Sequence, residues 1–250
     1  MRHCKNCGEE LHGLYCSHCG QKTEVERITF HYILHELVHF FTHAQKGFLF
    51  TSWQLIVTPG QVFKNFIEGK RKNYQPPLSY FLIWNGIYLL LLYIIAGAFG
   101  ENKVVNFAEY FGPDEKTKFA ISHLNIVLTV LLPFQALYLW LVMMYKRYNY
   151  FEALVGILFA IGTLLLWQFV FVVLAIPVYL VSGISVNIQL SDILKVLYIG
   201  WFMIDFVKVL PVKQKLVRAI SFVILAFGTF TLWRLYGFPE IANWLMRGNK

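Results

Sequence analysis

Residues 80–99 read YFLIWNGIYLLLLYIIAGAF. The stretch carries no charge, and as a helix it rises about 30 Å, the thickness of a bilayer's hydrocarbon core. Its apolar residues do not gather on one stripe, as they do on a helix lying against a soluble core; they cover every face. Four further runs share this character: 125–145 with Pro133 inside, 153–181 without a charge, 193–210 with Lys195, Asp205 and Lys208, and 216–236. At about 1.5 Å per residue, 153–181 is longer than the hydrocarbon is thick, which predicts tilt or a break near Pro177. A lone strand cannot satisfy its backbone in lipid, and the short alternating segments of a closed barrel are absent, so each run is read as a helix. The expected fold is an all-α integral membrane protein with about five transmembrane helices.

Composition points the same way. The chain is 57% hydrophobic and only 14% charged, against roughly a quarter charged in ordinary soluble domains. Nine of the 22 Lys and Arg precede Ser79, and the net charge is +8. With the N-terminus inside, the inner segments hold fifteen basic residues and the outer ones six, Lys195 lying within a span. The positive-inside rule then predicts a multi-pass inner-membrane protein with a cytoplasmic N-terminus and a periplasmic C-terminus, provided 193–210 crosses. Residues 1–20 are polar and do not read as a signal peptide.

The chain divides into 1–22, 23–79 and 80–250. In the first part, Cys4-Lys-Asn-Cys7-Gly8 is followed by Cys16-Ser-His-Cys19-Gly20, and the chain has no other cysteine. Two CxxC turns supply four soft donors for a tetrahedral Zn²⁺, and the glycine after each pair permits a tight knuckle. Cys4, Cys7, Cys16 and Cys19 are therefore read as the ligands of a structural zinc in a small ribbon. A reducing cytoplasmic face argues against two disulfides, and with all four positions filled by protein no site is open for catalysis. No internal repeat is read from the chain.

Between ribbon and first span, 28–43 and 53–67 show apolar residues three and four apart. They predict amphipathic helices that either lie flat on the inner leaflet or pack against the end of the bundle. The first contains His35-Glu36-Leu37-Val38-His39, an HExxH match. Such a motif places two imidazoles on one helix face with a glutamate to activate water, the arrangement of a zinc metalloprotease using His35, Glu36 and His39. Against it, a third ligand is missing. The two histidines also belong to a longer row, His31, His35, His39 and His43, which extends about 18 Å and cannot converge on one ion. The alternatives are a row that binds metal or senses protons and a plain interfacial face.

Gly69-Lys70-Arg71-Lys72 sits just before the first span, followed by Pro76-Pro77. Three consecutive cations there predict contact of Lys70, Arg71 and Lys72 with anionic lipid headgroups rather than with nucleic acid. The double proline is read as ending the preceding helix and setting the entry angle. Asn85, Gln135, Gln168 and Asp205 lie within the spans, where polar groups line a transport path or bond neighbouring helices. Asp205 and Lys208, three apart, are placed to pair.

Lys46-Gly47-Phe48-Leu49-Phe50-Thr51, Thr58-Pro59-Gly60, Gly69-Lys70-Arg71-Lys72 and Pro77 together resemble an uncharacterised bacterial membrane protein family, catalogued as a domain of unknown function, over about residues 1–95. The resemblance implies a zinc ribbon, a juxtamembrane segment and several helices, and no activity. The five-helix, N-inside plan is similar to that of Yip-type membrane proteins, a likeness of architecture alone. The expected function is a non-enzymatic membrane protein whose cytoplasmic platform engages lipid headgroups or a cytoplasmic protein partner. A metalloprotease and a small transporter are the alternatives.

Overall fold

A computed structural model describes residues 2–40, 47–100, 103–106, 131–209 and 214–232. The chain is mostly helical. Its described helices are α1 (Phe30–Phe40), α2 (Phe48–Val57), α3 (Pro59–Ile67), α4 (Pro77–Phe99), α5 (Leu131–Met144), α6 (Tyr150–Ser182), α7 (Leu190–Val209) and α8 (Lys215–Leu232). Two of these described helices, α4 and α6, are long and apolar enough to cross a membrane, which is fewer than the five spans expected. Part of the 125–145 run and the end of 216–236 lie outside the described residues.

The central pair is α4 and α6. The Tyr80 hydroxyl meets Thr163 Oγ1 at 3.1 Å near one end, and the Phe99 and Tyr179 rings lie 5.8 Å apart at the other. The two helices are therefore parallel. Gly162 makes the approach close, because a Cβ there would stand 2.7 Å from the Tyr80 ring. Of the tilt or break expected near Pro177, the break does not occur; α6 is continuous through it. Pro177 lies in the last two turns of α6 and removes one backbone donor, which the surrounding turns tolerate.

The run 193–210 forms α7, antiparallel to α6. The Ser191 hydroxyl at its start donates to Gln168 Oε1 at 3.0 Å, so α7 begins level with the middle of α6. The space beyond is filled by extended chain: Val105–Asn106 (β1) pairs in parallel with Val186–Asn187 (β2). Val104, Val105 and Ile188 are buried, and Val186 N–H and Ile188 N–H donate to Val104 O and Asn106 O. Non-helical backbone can sit inside a bundle when its polar groups are paired in this way.

The expected helix 53–67 is instead two helices. Pro59 has no N–H and disfavours helical geometry at the residue before it; Thr58 accordingly lies at φ −139°, ψ 60°. These helices pack against the bundle: Phe63 and Phe206 rings are 4.6 Å apart, and Phe66 and Phe159 5.5 Å. The double proline starts α4, with Pro76 as its cap and Pro77 in its first turn. What ends α3 is Gly69, at φ +99°, with Lys70 N–H returning to Asn65 O at 2.8 Å. This is the usual left-handed glycine stop.

The ribbon does contain a repeat. Cys4 N–H donates to Glu9 O and Cys16 N–H to Gln21 O; Gly8 N–H reaches Cys4 O and Gly20 N–H reaches Cys16 O. The bridges His3–Glu10 and Tyr15–Lys22 complete two equivalent hairpins, related by a twelve-residue shift in sequence.

Candidate metal centre and the platform around it

The two knuckles bring Cys4, Cys7, Cys16 and Cys19 together, their sulfurs all within 4.8 Å of one another. Cys4–Cys19 and Cys7–Cys16 are each 3.6 Å apart. A tetrahedral ion with metal–sulfur bonds of about 2.3 Å requires sulfurs about 3.8 Å apart, so the set fits a metal ion. Ionisation supports the fit. Cys16 is held down to about 6, first by the Cys19 backbone N–H. Cys7 is pushed up to about 12: the Glu9 N–H favours its thiolate, but desolvation and the other three thiols outweigh it. Four crowded thiolates need a cation at their centre to ionise together.

The residue after the second knuckle, Gln21, attaches the ribbon to the rest of the chain. Its buried side chain donates from Nε2 to Gly69 O at 2.9 Å, while Oε1 accepts from Arg71 N–H at 3.1 Å and Lys72 N–H at 3.2 Å. A Cβ at Gly69 would also crowd the ribbon, standing 2.9 Å from Cδ of the flexible Lys5 side chain and 3.1 Å from Val25 Cγ1. The basic turn is thus a seat for the ribbon. Its three cations part company: Lys70 and Lys72 are exposed, whereas Arg71 is partly buried. The Arg71 guanidinium lies 4.9 Å from the Tyr32 ring centre and 5.3 Å from that of Phe66, with Nε donating to Phe66 O.

Three carboxylates fasten this end of the bundle. Glu152 belongs to a capping box with Asn149 at the start of α6 and takes both Arg27 donors, at 2.9 and 3.0 Å. Asp205 Oδ2 accepts from Gly60 N–H, 2.9 Å away at the start of α3. It is engaged there and not with Lys208, whose ammonium stands over Trp201 at 5.6 Å. Glu36 Oε1 accepts from Ser79 N–H at 3.0 Å. Helices α3 and α4 both begin with proline and have no local side-chain cap. Each takes its cap from a distant carboxylate, which also complements the positive helix end.

This placement governs the HExxH motif. Glu36 is buried against α4, while His31 and His35 are exposed with their rings 6.5 Å apart. The side chain of His39 and all of His43 lie outside the described residues. Among the described residues, the four cysteines are the one group of three or more His, Cys, Asp or Glu side chains close enough to share an ion. Gln135, Gln168 and Asp205 are not gathered either: they bond Ala226 O, Ser191 and Gly60 in turn.

Burial raises the Glu36 carboxyl to about 7, outweighing the Ser79 and Leu78 donors and the Arg71 charge that lower it. The raised value means the folded state holds the proton more tightly than the unfolded chain does. That stabilisation is complete below about 4.5 and is lost as pH rises through 7. The shift corresponds to about 3 kcal/mol. Glu36→Gln keeps an acceptor for Ser79 and removes the titration. The melting temperature in detergent is therefore expected to fall more between pH 5 and 8 in the wild type than in the variant.

Residues 45–89 match the model of a family described as a protein of unknown function (DUF3667). No curated protein and no solved structure matches the chain. The matched segment contains α2, α3, the basic turn and the first half of α4, which is the seat on which the ribbon rests. Gln21 and Glu36, which hold ribbon and α1 to that segment, lie outside it. Neither contact was readable in the sequence, since each joins residues more than 40 positions apart.

Proposed function

We propose that this chain is a non-enzymatic inner-membrane protein in which a cytoplasmic zinc ribbon, with α1–α3, forms a platform anchored by the helical bundle. The observation that carries the reading is the exposed apolar surface of α4. Only 22% of its most apolar window is buried inside the molecule, with Leu89, Leu90, Tyr93 and Ile94 turned outward. The core helix of a water-soluble protein is mostly covered; a helix bare on this scale suits acyl chains. The parallel run of α4 and α6 also calls for a return of the chain between them.

Zinc is the metal proposed for the four thiolates, a closed tetrahedral set that serves structure. It neutralises the thiolates and holds the two knuckles together. Gln21 then fixes the ribbon over the turn, leaving Lys70 and Lys72 facing out towards anionic headgroups. A protein partner is favoured by a separate feature: Leu14 and Tyr15, between the knuckles, are 79% and 64% exposed. The inward direction of Glu36 supports a structural role over peptide hydrolysis.

Protease applied to sealed vesicles checks the reading. Inverted vesicles are expected to lose the ribbon to digestion and right-side-out vesicles to retain it. A chain stripped from membranes by alkaline carbonate, or a ribbon cleaved from the outside, overturns it.

A further inference from the structure

The two faces of the α2–α3 hairpin differ in a way that the anchored-platform reading does not explain. Helix α2 buries Thr51, Ser52 and Leu55, yet its opposite face is apolar as well: Leu49 is 75% exposed and Trp53 62%, with Phe50 and Val57 beside them. The outward residues of α3 are polar instead: Gln61 is exposed, Lys64 and Asn65 are half-buried, and the capping residue Glu68 is exposed. One helix of the hairpin thus presents grease outward and the other presents groups suited to water.

The depth of α2 is fixed by its partners. Trp84 Nε1 donates to Ser52 Oγ at 3.1 Å, and the Phe48 ring lies 5.2 Å from that of Trp84 and 5.9 Å from that of Tyr80. Helix α2 is therefore level with the first two turns of α4, inside the apolar stretch that begins there. At its other end it crosses α7, whose Leu197, Trp201 and Ile204 are exposed, and continues that apolar surface.

The backbone around the bend between the helices relies on protein partners. Tyr198 OH donates to Leu55 O at 3.2 Å, and Trp201 Nε1 to Ile56 O at 3.0 Å. Thr58 N–H closes on Gln54 O at 2.7 Å, and Asp205 takes Gly60 N–H. Helix ends at a water-facing turn can leave such groups to solvent; within lipid they must be met by protein.

We propose that α2 is an in-plane helix embedded among the acyl chains of the cytoplasmic leaflet, with α3 beneath it on the aqueous side. Leu49, Trp53 and Val57 contact lipid, and Trp53 sits in the interfacial belt that indole favours. The inference rests on the membrane reading above and specifies which part of the platform enters the bilayer. It replaces a choice between lying on the leaflet and packing on the bundle with an arrangement in which one hairpin does both.

The test uses the full chain in phosphatidylethanolamine/phosphatidylglycerol liposomes, with p-benzoylphenylalanine placed singly at Leu49, Trp53, Gln61 or Leu90. After irradiation, adducts are read by mass spectrometry. Lipid adducts at 49 and 53 in yields comparable to that at 90, with none at 61, are the expected result. Adducts at 90 but not at 49 or 53, or dimer formation at 49 and 53, overturn this inference and leave the anchor intact. Loss of lipid adducts at 90 as well sinks the membrane reading itself. Leu49 is the most exposed of these α2 positions, so a folding defect at Trp53 does not remove the test.

Discussion

Replacing Cys4 and Cys7 together by serine is expected to remove one metal ion per chain and to leave the ribbon unfolded, while the helical bundle keeps its shape. The ribbon is too small to hold itself together. Apart from its cysteines, its buried side chains amount to little more than Gln21, and its hairpins contribute single bridges. In comparable small sites the metal supplies about 10–16 kcal/mol at neutral pH, which is the whole of the folding free energy. Loss of the ion therefore exposes residues 1–23 to protease, and the Gln21 side chain leaves Gly69, Arg71 and Lys72. Metal analysis of purified protein gives the stoichiometry, and limited proteolysis gives the boundary. One zinc per chain in the wild type and none in the variant is the predicted pattern. A zinc that survives the double substitution would place a second site in the chain and return the His31–His43 row to consideration.

The other large effect is predicted at Gly60. A single methyl group there would stand 2.6 Å from the Asp205 carbonyl carbon and 2.8 Å from Phe206 Cα. Both obstacles are helix backbone, so neither can turn aside as a side-chain tip would. Gly60→Ala must push α3 away from α7, loosening the Phe63–Phe206 contact and lengthening the bond from Gly60 N–H to Asp205. Overpacking of this kind costs about 2–3 kcal/mol. Gly86 is the control, because it is also helical and has nothing within 4 Å of the added atom. Gly86→Ala is expected to be neutral or to stabilise by up to about 1 kcal/mol. Thermal unfolding in detergent compares the two. Equal melting temperatures for the two variants would mean that α3 and α7 are not in contact as described.

What the sequence made legible is what depends on local chemistry. The long uncharged runs at 80–99 and 153–181 read directly as helices because their length and composition suffice. The CxxCG pairs announced four sulfurs around one point because two turns of that type leave little choice. The break at Thr58–Pro59 was equally local, since proline restrains the residue before it, but apolar spacing across 53–67 concealed it. The twelve-residue repeat was also present in the spacing of the two CxxCG pairs and became plain only when Glu9 and Gln21 proved equivalent in their bonds.

Other features had no local signal. The direction of Glu36 is set by Ser79, 43 positions away, and without that contact an HExxH string looks like a catalytic helix. Arg71 sits in a run of three cations, and only the positions of Tyr32 and Phe66 separate it from Lys70 and Lys72. Asp205 reads as half of a pair with Lys208 until Gly60 is placed beside it. In each case the sequence supplied the chemical type of the group, and tertiary packing decided which partner it found.

The dependence of α3 on Asp205 has a consequence for the order of biosynthesis. The acceptor is translated 145 residues after the amide it receives. At about 5–20 residues per second the ribosome needs roughly 7–30 s to cover that interval. For that period the nascent chain can form α4 and begin α6 while the start of α3 still waits for its cap. A chain arrested before residue 190 would carry every residue of the matched 45–89 segment and still be unable to close it.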